Sequence, residues 1–402
     1  MTEQVRQPLD RWDLALFLLA LIGVSLTASA AFGVVTLGLI AWATGDMEAA
    51  EAGAAAASGI IFVCLLGLPA LVNAGRRVLG GRLAPPDTPS AWLYALGLLF
   101  PAGLLMDWLA FERGVLTPVL GPAGQSLAVL APAAVLLVMV RRRGPSLRPR
   151  RAWGHFLLGL WLVPVIALLL EGVLLLAAIA IAAGLLSLSA SGQALLEAWQ
   201  GLLTQASGLP VEPPADLVGE LALHPVVIGV LVAMLSLLVP IIEESLKTAS
   251  IWPLLPARIR GAPAFLGGVL GGTGFALSEG LFLAQPTTGW LLVLVGRAGA
   301  TLMHAFATGL AAWALAELVV GGRWRRGLAG FASAVVMHGL WNGAAIAVGL
   351  SQLAAGDGGA APANSAVTVV GASLILGLTS VAVIGLPTFL GALQRHEPTS
   401  RA

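Results

Sequence analysis

The chain has 402 residues, 58% of them hydrophobic and only 10% charged, with a formal net charge of +1. That composition excludes an ordinary soluble domain, and a charge so close to zero gives no footing for a nucleic-acid partner. Cys64 is the sole cysteine, which excludes an intramolecular disulfide and a cysteine metal cluster.

A membrane-spanning helix needs about 20 apolar residues. Stretches of that kind run over 14–43, 56–74, 91–109, 122–140, 154–187, 225–255, 262–284, 290–320, 328–350 and 365–393. The expected fold is therefore all-α, a polytopic transmembrane helical bundle of about ten spans. Ala28-Ser29-Ala30 in the first stretch looks like a signal-peptidase site, but apolar residues continue to Trp42, so the span reads as uncleaved. With the N-terminus inside and the spans alternating, the arginine clusters at 6–11, 76–82, 141–151, 258–260, 323–326 and 395–401 all fall on the inner side. Arg113 alone falls outside. This sorting follows the positive-inside rule and predicts that both termini are cytoplasmic.

The longest outer segment runs from Ser189 to His224. In it Leu195, Leu196, Trp199, Leu202 and Leu203 recur at helical spacing, which suits a helix lying along the outer surface. The segment separates an N-terminal region of five spans, 1–223, whose role is unknown, from a second region, 224–350, rich in intramembrane polar groups. The last outer loop, last span and tail make up 351–402. No internal repeat is visible.

The sixth span carries the chain's only lysine, in Glu243-Glu244-Ser245-Leu246-Lys247. A charge near the bilayer centre costs roughly 2.5–3.5 kcal/mol on insertion scales, so three within five residues call for a function. On a helix Lys247 is one turn from both carboxylates and can neutralise one of them. Pro240, just before the pair, should kink the span or free a carbonyl. The seventh span holds Phe275-Ala276-Leu277-Ser278-Glu279, the eighth His304, and the ninth His338 and Asn342, four apart on one face. Counted at about 1.5 Å per residue, these groups lie roughly 15–26 Å above the inner ends of their spans, in one slab near mid-membrane. Gly267/Gly271 and Gly268/Gly272 are small-xxx-small pairs that let the seventh helix approach its neighbours closely.

Such a set matches the needs of peptide hydrolysis: a base, an activated water and donors for a developing oxyanion. The ordered elements Glu-Glu-x-x-Lys, Phe-x-x-x-Glu, an isolated His and His-x-x-x-Asn resemble the PrsW family of intramembrane proteases. That family is similar in turn to the CAAX-prenyl-protease and bacteriocin-processing group. The resemblance covers about 225–350. It implies that Glu243 is the general base, that Glu244 and Lys247 support it, that His338 and Asn342 stabilise the oxyanion, and that His304 is the isolated family histidine. Glu279 stands where the wider group has a histidine, so its role in orienting water, binding metal or holding structure stays open. A structural ion pair between Glu279 and Arg297 is expected on at least equal terms with catalysis by either residue.

The leading expectation is a glutamic-type endopeptidase with no cofactor, acting on a membrane-associated protein or peptide within the lipid bilayer. The resemblance suggests an anti-sigma factor or a membrane peptide as substrate, and a bacterial inner membrane as the location. A zinc enzyme using Glu243, Glu279, His304 and His338 is the alternative. A proton- or ion-coupled transporter and a non-catalytic scaffold are further readings. Glu317 is expected to snorkel beside Arg323 and Arg325. Glu171, midway along the fifth span, is left without an assignment, and His155, His224 and His396 carry no signal.

Overall fold

A computed structural model describes residues 11–80, 96–143, 149–205, 214–282, 290–355 and 362–396. Among these residues the protein is all-helical, with no strand. Helices α1 (Arg11–Thr44) and α2 (Met47–Val78) are joined at Gly45, which has φ +85°, and at Asp46, whose carboxylate accepts from the Ala49 N–H at 3.0 Å. A positive φ suits glycine, and an N-cap carboxylate satisfies a free amide of the next helix, so the reversal is encoded in two residues.

Then come α3 (Leu99–Phe111), α4 (Thr117–Arg143) and α5 (Pro149–Leu157). A π-helical turn at Leu158–Leu162 leads from α5 into α6 (Val163–Leu186), followed by α7 (Ala190–Gln205) and α8 (Ala215–Ala222). Helix α7 falls where the outer amphipathic helix is expected. Helix α9 (Pro225–Ala233) passes through a second π-helical turn, Met234–Leu238, into α10 (Val239–Lys247). The chain continues as α11 (Gly261–Phe282), α12 (Trp290–Val319), α13 (Trp324–Ala355) and α14 (Pro362–His396).

Among the described residues eight helices are long and apolar enough to cross a membrane, against the ten stretches read from sequence. The third stretch folds as the 13-residue α3, with residues 91–95 outside the described part. The seventh folds as α11, whose 22 residues are rich in glycine and almost wholly buried in protein, so apolarity against lipid is not what keeps it in place. The protein is an integral membrane protein.

The chain divides into two interleaved compact units. The first comprises Met1–Pro164, Lys247–Phe331 and Ala382–Ala402. Its core joins Ala20, Val63, Val129, Leu160, Trp161 and Leu277. At Gly268 and Gly272 of α11, a Cβ would overlap the Thr308 and His304 carbonyl oxygens of α12, so only glycine permits that approach. The second unit comprises Val165–Leu246 and Ala332–Val381. In it Met234 and Val239 pack with Ala178.

Three expectations change. Glu317 does not snorkel: it is 2% exposed and accepts from Arg323 Nη2 at 2.6 Å. His155 is buried and hydrogen-bonds the Ser250 carbonyl through Nδ1 at 2.7 Å. His224 is the N-cap of α9, accepting the Val226 N–H at 3.3 Å. The two histidines do structural work that sequence position alone hides.

Candidate active site

In the second unit the polar pattern starts from a backbone fault. Pro240 has no N–H, so the carbonyl one turn earlier, at Ser236, loses its ordinary helical donor. The chain widens there into the π turn Met234–Leu238. Asn342 Nδ2 donates to the Leu235 carbonyl at 2.9 Å, tying α13 to the widened turn. A Cβ on Gly339 would overlap the Ser236 oxygen, so glycine at that position lets α13 come this close. The kink expected at Pro240 is a π turn, and it supplies the carbonyl that fixes Asn342.

That contact brings His338 beside the glutamate pair. His338 Nδ1 lies 3.0 Å from Glu244 Oε1, and Nε2 lies 3.8 Å from Glu243 Oε2. All three are buried, Glu244 completely. With Glu244 ionised, Nδ1–H donates to it and the ring is held in one orientation. The separation from Glu243 is beyond hydrogen-bond reach. One of Asn342's two amide protons is already used on Leu235.

In the first unit the Phe-x-x-x-Glu element explains its own spacing. Phe275 and Glu279 are one turn apart on α11 and so share a face. The Lys247 ammonium lies 4.0 Å from the centre of the Phe275 ring and 2.9 Å from His304 Nδ1. His304 Nε2 lies 2.9 Å from Glu279 Oε2, and Arg297 Nη1 donates to Glu279 Oε1 at 3.2 Å. An ammonium only donates, so Nδ1 is the acceptor and Nε2–H donates to Glu279. The result is a chain of alternating partners: Lys247, His304, Glu279, Arg297. The expected Glu279–Arg297 ion pair is present, and it belongs to a network that also includes His304.

Lys247 is completely buried. Burial of a lone ammonium is prohibitive, and the Phe275 face and His304 offset part of that cost. It ends α10, the helix that carries Glu243 and Glu244 one turn earlier. Sequence reasoning named Phe275 as part of a motif but gave it no task. It missed Asp107 altogether, a carboxylate fully buried between α3 and α4, although an acid in an apolar stretch was signal enough.

A catalytic zinc takes three protein ligands and an open position. In the first unit both ring nitrogens of His304 are engaged, one of them by an ammonium, and both Glu279 oxygens have partners. A divalent ion at His304 Nδ1 would have to displace Lys247. In the second unit Glu243 and His338 are two donors, and a carboxylate behind the histidine is the arrangement that orients a metal-bound imidazole.

The model of the PrsW family, described as "PrsW family intramembrane metalloprotease", matches residues 148–378. No curated protein and no solved structure matches the chain. The match takes in more than half of the sequence, including α5 to α9 ahead of the motifs, and it contains Glu243, Glu244, Lys247, Glu279, Arg297, His304, His338 and Asn342. The chain therefore belongs to the PrsW family of intramembrane proteases.

Proposed function

We propose that this membrane protease hydrolyses a peptide bond of a membrane-associated protein or peptide by a glutamic-type mechanism, with Glu243 as the base. The observation that carries the proposal is the placing of His338 between two carboxylates, bonded to Glu244 and 3.8 Å from Glu243. That gap suits one water touching both Glu243 and the ring. Glu243 takes a proton from the water, whose oxygen bonds to the scissile carbonyl carbon. The carbonyl π electrons move onto oxygen. His338, which carries both ring protons from the start of the reaction to its end, donates Nε2–H to that oxyanion together with the second amide N–H of Asn342. Glu244 holds His338 Nδ1–H and stabilises the imidazolium. When the intermediate collapses, the C–N bond breaks and the proton on Glu243 passes to the leaving amine.

Lys247 and its partners His304 and Glu279 hold the end of α10 and place a positive charge one turn from the glutamate pair. A bacterial inner membrane, with an anti-sigma factor or a membrane peptide as substrate, is the setting this reading carries over from the family resemblance. Zinc chemistry is the second reading, favoured by the family's description and by the Glu244–His338 hydrogen bond. It would use Glu243 and His338, with His304 and Glu279 as the other candidates, and an ion at His304 Nδ1 would require Lys247 to leave.

The test is a comparison of membrane fractions from cells making the wild type or Glu243→Gln, read by sequencing all protein N-termini. New termini within or beside membrane segments are expected with the wild type and not with the variant. The same termini at similar abundance in both would overturn the assignment of Glu243.

A further inference from the structure

A cavity of about 640 Å³ lies within the first unit. Its wall is formed by Trp12 and Leu16 of α1, Arg151 and His155 of α5, Leu158 of the first π turn, and Leu254 of the turn after α10. These are the arginine-rich ends of the helices, where tryptophan and arginine mark the membrane–water boundary. The volume is that of an ordinary small-molecule site.

The charge around it is one-sided. Arg151 is exposed and has no carboxylate partner among the described residues. Asp13, next to Trp12, is buried and lies 3.9 Å from Arg77, so α1 brings no free acid to the wall. The turn after α10 lines the cavity with Ser250, Pro253, Leu254, Pro256 and Ala257, none of them charged. An apolar chamber with one uncompensated guanidinium at its rim is complementary to an amphiphile with an anionic head.

We propose that this cavity binds an anionic glycerophospholipid, with its phosphate on Arg151 and its upper acyl chains against Trp12, Leu16, Leu158 and Leu254. Arginine's planar fork suits a phosphate, and basic pockets between helices at this membrane level take lipid headgroups. The site also touches the segment that holds Lys247. His155 Nδ1 bonds the Ser250 carbonyl, and Ser250 is three residues after the lysine. A lipid seated here braces the end of the helix that bears the glutamate pair. Binding itself does not depend on the catalytic mechanism.

The experiment uses the full chain in detergent and reads bound lipid by native mass spectrometry. Phosphatidylglycerol and phosphatidylcholine with identical acyl chains are offered in competition. The wild type should retain phosphatidylglycerol at least about fivefold over phosphatidylcholine, the ratio for one cation at a membrane surface. Arg151→Gln should erase that preference. Ala15→Trp, placed on an exposed lining residue, should fill the chamber and reduce retention of both lipids while thermal unfolding stays unchanged. Equal retention of the two lipids by the wild type would overturn the proposal, as would an unchanged preference in Arg151→Gln. Complete displacement of phosphatidylglycerol by millimolar inorganic phosphate would overturn the lipid as occupant.

Discussion

His338 and His304 are both buried, and both face a glutamate, yet they are built for different work. His338 has carboxylates toward both ring nitrogens, one bonded at 3.0 Å and one at 3.8 Å, so both nitrogens face acceptors. His304 has an ammonium on one nitrogen and a carboxylate on the other, both at 2.9 Å, so its proton and its lone pair are both committed. A histidine between two acids can answer a developing oxyanion, whereas one between a cation and an acid transmits and fixes charge. The neighbours, not the residue type, assign the role.

The contrast is sharpest at Glu243. Glu243→Gln keeps shape and removes basicity, and it should lower the cleavage rate by about a thousandfold or more, with thermal unfolding unchanged. Rates measured on a membrane-reconstituted substrate check this, and near-normal turnover would break the comparison. Glu244→Gln should cost less, about 10–100-fold, because its carboxylate orients the ring and does not touch the water. A loss as large as that of Glu243→Gln would mean that the two carboxylates have been assigned the wrong way round.

Gly339→Ala tests the packing that delivers His338. Its Cβ would overlap the Ser236 oxygen, so α13 must move away, with a stability loss of about 1–3 kcal/mol. Denaturation in micelles measures that loss, and a rate reduction of about tenfold should accompany it, since small displacements of a catalytic group are costly. Glu279→Gln acts on the other histidine and should have the smallest effect on rate, less than tenfold. It should still destabilise by about 1.5–3 kcal/mol through its charge-assisted bonds to His304 and Arg297. A Glu279→Gln enzyme as inactive as Glu243→Gln would put His304 and Glu279 among the reacting groups.

Much of the site was legible because helices repeat their faces. The one-turn spacings of Glu243 with Lys247, Phe275 with Glu279 and His338 with Asn342 are visible in the sequence, and each pair lies on one helix. What stayed hidden depends on partners distant in sequence. Asn342 reads as a free amide donor in the sequence, and nothing in its spacing announces that the Leu235 carbonyl, 107 residues away, takes one of its protons. Pro240 announces a fault, but not that the fault is a π turn closed by α13. His155 stands at the start of an apolar stretch and looks like a boundary residue, and only the fold brings Ser250 to it. The glycine-rich α11 passed as an ordinary span because its burial in protein leaves no periodic mark in an all-apolar stretch.

The central claim is that a carboxylate, with His338, activates the water without a metal. Zinc content and activity, measured on one purified preparation before and after prolonged chelation, test it most directly. With Lys247 on His304 Nδ1 and His338 bonded to Glu244, the account predicts well under one zinc per chain and undiminished cleavage after chelation. One zinc per chain, with cleavage lost on chelation and restored by zinc alone, would contradict it.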